Sequence, residues 1–157
     1  MSRRRVAVVL SVCVAWVLLT QCLTINVSAS VPRGVYWHPA QPAPLTRGTL
    51  VLVPRTTVGR AWWQFPAMLM RLLKPVAGIA GDRVCVRPEG VWVNEEPYGA
   101  VYTAWRGRSL PVIWGCHVVQ AGEVFVATKM PGSLDGRYLG MTRVSDTTVV
   151  VPLWLWE

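Results

Sequence analysis

Twenty consecutive positions, Val6 to Ile25, carry no charge, and the remainder of the chain reads as short apolar runs cut by glycine and proline. A helix rises about 1.5 Å per residue, so such a run spans about 30 Å, the thickness of a bilayer's hydrocarbon core. The apolar part of a secretory signal is shorter, about 7–15 residues. The length therefore predicts an uncleaved transmembrane anchor, residues 1–25, followed by one domain over residues 26–157. Arg3, Arg4 and Arg5 precede the run, which holds the N-terminus in the cytoplasm and sends the domain outward. The small residues Val27-Ser28-Ala29 keep a cut after Ala29 open.

Beyond the anchor the pattern predicts mainly β structure with little helix. Gly34-Val35-Tyr36-Trp37 reads as a strand entering a proline-rich loop, and "TRGTLVLVP", Thr46 to Pro54, as a turn and a strand. "KPVAGIAGDRVCVRP" reads as strand, glycine turn, strand. "GVWVNEEPYG" alternates and turns, "GEVFVATKM" is a strand, and "PGSLDGRYLG" is a turn-rich loop. "TTVVVPLWLWE" is a closing strand. The second half of "VGRAWWQFPAMLMRLL" is helix-like, limited upstream by Pro66. A smaller inserted β-subregion is expected over 83–127.

Composition sharpens this. Hydrophobic residues make up 52% of the 157, and mean hydropathy is +0.35, which suits a membrane-attached domain. The net charge of +8 comes from scattered arginines and the N-terminal three. With no basic stripe and no binding motif in the body, nucleic acid is not an expected partner; anionic lipid is. Only Lys74 and Lys129 are lysines. Arginine stays protonated, so these are the two lysine candidates for a general base. Trp62, Trp63, Phe65, Trp154 and Trp156 are candidates for the headgroup level or for ordinary core packing.

Cys13 and Cys22 fall in the anchor. Cys85 and Cys116 lie outside it, and in an oxidising compartment an even pair suggests a disulfide. It would close a loop of about 32 residues and contribute roughly 3–4 kcal/mol; two buried free thiols are the alternative. Two histidines and no Cys-x-x-Cys pair give no metal-ligand set, and no cofactor is expected.

Three stretches resemble the boxes of the type I signal peptidases. They are "SASVP" (Ser28 to Pro32), "LLKPVAGIAGD" (Leu72 to Asp82) and "GSLDGRYLG" (Gly132 to Gly140), in the family's order behind an N-terminal span. "TRGTLVLVP" sits where the family has an Arg-Gly-Asp strand. The Ser-x-Pro-x-Gly-x-Tyr form resembles the TraF-like branch, as does Gly115-Cys116 before "GEVFV", paired with "DRVCV". Pro75 stands where the family has Arg, Gly136 where it has Ser, Thr49 where it has Asp, and Ala80 where it often has Pro.

The resemblance implies a signal-peptidase-like β-fold and a Ser–Lys dyad. A serine hydroxyl needs a base, and a lysine can serve only when neutral. Burial lowers a lysine's pKa by penalising the ammonium form; Met68, Leu69, Met70, Leu72 and Leu73 lie next to Lys74 in sequence. By the resemblance Ser30 is the nucleophile, Lys74 the base, Ser28 an oxyanion donor and Ser133 the partner that orients the lysine. Asp135 and Arg137 are implied to form a structural ion pair. The implied protein is a single-pass enzyme of the inner membrane with its domain in the periplasm. It would cut a membrane-bound, pilin-like precursor and work beside a conjugation apparatus. In an extended chain Ser30 lies at most about 18 Å beyond Ile25. A secreted, disulfide-bonded β-domain without catalysis, or a structural component of that apparatus, is the competing expectation.

Overall fold

The computed structural model describes residues 3–40, 44–54 and 71–156, without the side chains of residues 3, 17–20 and 54. A helix, α1 (Arg3–Cys22), leads into strands β1 (Leu23–Asn26), β2 (Gly34–Trp37), β3 (Leu50–Pro54), β4 (Arg71–Gly78), β5 (Arg83–Arg87), β6 (Gly90–Val93) and β7 (Glu96–Gly99). The short β8 (Ala104–Trp105) and β9 (Arg108–Ser109), then β10 (Gly115–Val118) and β11 (Glu123–Val126), precede a one-turn helix, α2 (Gly136–Leu139). The strands β12 (Thr142–Arg143), β13 (Thr148–Val149) and β14 (Val151–Leu155) follow.

The strands form a five-stranded sheet in the order β12-β11-β4-β3-β13, a four-stranded sheet β10-β5-β6-β7, a three-stranded sheet β1-β2-β14 and the β8-β9 pair. All pairings are antiparallel. The mainly β expectation holds. The four-stranded sheet uses residues from 83 to 118, whereas β11 returns to the five-stranded one.

β4 is the central strand, buried over Leu72–Lys74 and Val76–Gly78. Successive side chains on a strand point to opposite faces. Leu72 and Val76 join one core cluster with Val51, Val126, Tyr138 and Leu139. Leu73 joins another with Val31, Tyr36, Leu52 and Val150, against the three-stranded sheet. Alternation sets Lys74 on the Leu72/Val76 face, opposite Val51 in the β3–β4 register. A proline in a central strand removes a ladder donor. Pro75 is tolerated next to a register shift, where Phe125 pairs with Gly78 but Val126 with Val76,.

Four expectations change. The uncharged run does not stay helical to Ile25: α1 ends at Cys22, because Leu23–Asn26 pair with β2 in the register Leu23↔Trp37 to Asn26↔Gly34. Among the described residues no helix is long and apolar enough to cross a membrane. Arg71, Leu72 and Leu73 are strand, not helix, since the sheet buries both leucines. "PGSLDGRYLG" contains α2, which Asp135 caps by accepting from the Arg137 backbone N–H. The closing strand is two, broken at Val150 as the chain passes from the five-stranded to the three-stranded sheet. The rest of that segment, with the aromatic candidates Trp62, Trp63 and Phe65 and the helix-like Met68–Met70, lies outside the described residues.

Cys85 and Cys116 are directly opposed on β5 and β10, with Cα atoms 4.0 Å apart, and are joined as a disulfide. Trp154 is 67% exposed and meets Trp156 edge-on at 5.5 Å.

Candidate active site

The loop between β1 and β2 carries both serines. Its two ends are tied by the Asn26↔Gly34 pair. Gly34 also pairs with Leu155 of β14; a Cβ there would run into the Trp154 carbonyl and lie 2.7 Å from Leu155 Cδ2. Only glycine allows that approach, which accounts for the Gly of Ser-x-Pro-x-Gly-x-Tyr. The Tyr of the same pattern, Tyr36, is buried and donates its hydroxyl to the Pro32 carbonyl at 2.5 Å. Ser28 is exposed and Ser30 half-buried. Their hydroxyl oxygens are 3.1 Å apart.

Lys74 lies across the cleft on β4. It is 4% exposed, and its Nζ donates to Ser133 Oγ at 2.8 Å. Burial pushes its pKa down from the ordinary lysine value to about 8; Asp135 opposes this and Arg137 adds to it. That shift corresponds to about 3 kcal/mol of preference for the neutral amine. At pH 7 about one molecule in ten then carries a free lone pair, against about one in 2,500 for an unperturbed lysine. Lys129 differs: its side chain is 68% exposed and pairs with Glu96 at 2.7 Å, which raises its pKa.

Ser133 belongs to a turn held from below by Asp135 and Arg137, both fully buried. Arg137 Nε donates to Asp135 Oδ1 at 2.8 Å and Nη2 to Oδ2 at 3.1 Å. Nη1 donates to the Ala100 carbonyl, and Nη2 also reaches the carbonyls of Thr128 and Tyr98. Asp135 also accepts from the Thr128 and Arg137 backbone N–H groups. A buried pair is tolerable when its spare donors and lone pairs are used in this way. Gly136 follows from the packing too: a Cβ would lie 2.5 Å from the Phe125 ring, so the serine usual at that position has no room.

Ser28, Ser30, Lys74 and Ser133 all line one cleft of about 380 Å³, walled by apolar residues that include Leu72 and Leu134. Asp135 and Arg137 sit behind it, and Lys129 is not part of its lining. Among the described residues no direct hydrogen bond joins Ser30 to Lys74; Ser30 is held by Ser28. The described residues contain no cluster of metal ligands.

Two structural parts escaped the sequence reading. Asn26 sits 7% exposed at the centre of the serine loop, and an Asn two residues before a Ser is the available signal for an Asx turn. Asp82, at the end of the lysine box, clamps the glycine turn. It accepts from Arg47 Nε (3.0 Å) and Nη2, from the Ile79 N–H (2.8 Å) and from Asn94 Nδ2 (3.1 Å). The Arg47 guanidinium lowers the Asp82 pKa.

Residues 3–156 match the signal peptidase family, peptidase S26. The chain belongs to this family. Membership brings with it a peptidase activity directed at the signal peptides of precursor proteins. The chain is also 29% identical over 148 residues to the plasmid transfer protein TraF of Escherichia coli, covering 84% of this chain and 82% of that one. Among solved structures it is similar to a signal peptidase I from Enterococcus faecalis, with a TM-score of 0.45 and 18% identity over 71% of this chain and 99% of the other.

Proposed function

We propose that this signal peptidase is a membrane-anchored serine endopeptidase with a Ser30–Lys74 dyad. The observation that carries the reading is Lys74: a buried amine with its pKa lowered to about 8, fixed on Ser133, in the same cleft as Ser30. Neutral Lys74 takes the Ser30 proton as Ser30 Oγ bonds to the substrate carbonyl carbon. The tetrahedral oxyanion is met by the Ser28 hydroxyl and the Ser30 backbone N–H. Protonated Lys74 returns its proton to the leaving amine, which departs and leaves an acyl-enzyme. Water, deprotonated by Lys74, then releases the acid and restores Ser30.

Membrane attachment is assigned to the N-terminal segment that contains α1, which has three arginines at its start but is not by itself long and apolar enough to cross. Apolar side chains such as Val8, Leu10 and Trp16 on it are exposed. The domain that follows lies in the periplasm. The similarity to a plasmid transfer protein favours a pilin-like precursor of a conjugation system as substrate. Capture of the acyl-enzyme by the substrate's own N-terminal amine, giving a circular product, is a hypothesis of that substrate class; linear product alone would count against it.

The test is precursor processing in cells carrying Ser30→Ala or Lys74→Ala. Each variant is expected to accumulate precursor while membrane level and folding stay normal. Normal processing by either removes the dyad.

A further inference from the structure

Asn26 is nearly enclosed, ends β1, and sits where the loop carrying Ser28 and Ser30 departs. Its Nδ2 donates to the carbonyls of Ser28 (3.1 Å), Val31 (3.1 Å) and Pro32 (3.0 Å). Its Oδ1 accepts from the Ser28 backbone N–H at 3.1 Å and from the Ser28 hydroxyl at 2.7 Å. These contacts fix which way the amide points. Turned over, the NH₂ would face another donor and the oxygen would face three carbonyls.

The same contacts order the protons of the serine pair. A hydroxyl has one proton. Ser28 gives its proton to Asn26, so towards Ser30 it can only accept. At rest, therefore, Ser30 O–H donates to Ser28, and the direction runs Ser30 to Ser28 to Asn26. Under the Ser30–Lys74 reading, on which this inference rests, Ser28 must later aim its proton at the oxyanion. That takes a rotation about its Cβ–Oγ bond, with the oxygen already in place and its backbone N–H still tied to Asn26.

We propose that Asn26 is a positioning residue that sets the Ser28 hydroxyl for oxyanion stabilisation. It does not touch the reacting atoms; it acts through Ser28. An oxyanion donor contributes about 10²–10³ in turnover, and loss of its alignment forfeits part of that. Asn26→Ala is expected to lower kcat about 10- to 100-fold with little change in KM.

The experiment measures kcat and KM on a precursor-derived peptide for the full-length protein in detergent. The set is wild type, Ser30→Ala, Ser28→Ala, Asn26→Ala, Asn26→Asp and the Asn26→Ala/Ser28→Ala double variant, with folding followed by thermal melts. If Asn26 acts through Ser28, the loss from Asn26→Ala shrinks to less than about threefold on the Ser28→Ala background. Asn26→Asp keeps both accepted bonds but turns its second oxygen on the three carbonyls that the NH₂ served, so its kcat is expected to fall as well, by a factor that again shrinks on the Ser28→Ala background,. A full, multiplicative loss in the double variant overturns the proposal, as does an unchanged kcat in Asn26→Ala. If Asn26→Ala does not fold, the comparison passes to Asn26→Asp alone and on the Ser28→Ala background. Unfolding of both variants assigns Asn26 a purely structural role and also overturns it. Wild-type turnover by Ser30→Ala would remove the dyad and this inference together, whereas an inert Ser30→Ala beside a fully active Asn26→Ala removes only the inference.

Discussion

The two lysines of the chain stand in opposite surroundings. Lys74 is on the central strand of the five-stranded sheet, enclosed by aliphatic side chains and touching one neutral hydroxyl. Lys129 lies just past β11, open to water and facing a carboxylate. Both sit near the same turn, yet their pKa values move in opposite directions. Proximity to the site does not make a lysine a base; removal of water does. The Lys74 half of the cleft is enclosed and fixed, with its hydrogen-bond partner Ser133 on a turn held by the buried Asp135–Arg137 pair. The serine half is built to be reached, with an exposed Ser28 and a loop closed around a single amide.

The comparison can be broken most forcefully from beneath. Arg137→Met leaves Asp135 buried without its cation, and removing one partner of a buried pair typically costs about 3–5 kcal/mol. The loss should appear in urea unfolding. Because Arg137 also pushes the Lys74 pKa down and Asp135 pushes it up, any folded enzyme should reach full activity only at higher pH. An unshifted pH–rate profile would mean that the pair does not reach the lysine electrostatically.

A second test sharpens the contrast through pH. Lys74 is neutral in the folded protein above about pH 8, whereas in the unfolded chain it holds its proton to about 10.4. Between these values the unfolded state binds more protons, so stability rises with pH, by up to about 3 kcal/mol across the window. Lys74→Met should remove this rise and be the more stable protein at pH 7. The wild-type acylation rate should climb with an apparent pKa near 8. Equal slopes of stability against pH in the two proteins would contradict a buried, neutral lysine.

The smallest effect is expected at the other lysine. Lys129→Ala should leave both the unfolding midpoint and turnover close to wild type, since exposed ion pairs contribute little. A large loss of turnover would return Lys129 to the list of bases.

Much of this architecture was legible because it is written locally. The "GVYW", "LVLVP" and "DRVCV" strands carry β-branched and aromatic residues between turn formers, and the lysine box ends in a glycine turn. What escaped depends on distant partners. Arg71-Leu72-Leu73 has no strand signature of its own and becomes strand only because β3 and β11 flank it. Leu23–Asn26 continues an apolar helix in sequence and is drawn away by β2. Asp135 caps α2 through a bond two residues ahead, but the turn's place under Lys74 comes from contacts to Ala100, Tyr98 and Thr128. At the site, the residue types and their order were readable from the boxes. Asn26 was not, because its role lies in five bonds that only the folded loop brings together.

The sheet beneath the serines has a further consequence, one of timing. Its third strand, β14, pairs with β2 across almost the whole chain, Val151 opposite Trp37 and Leu155 opposite Gly34. Contacts between such distant segments form late, because a long loop must close first. During synthesis both serines and Lys74 emerge well before Val151–Leu155. The support of the serine loop is therefore finished last, which ties the assembly of a peptide-cutting site to the arrival of the strand that completes it.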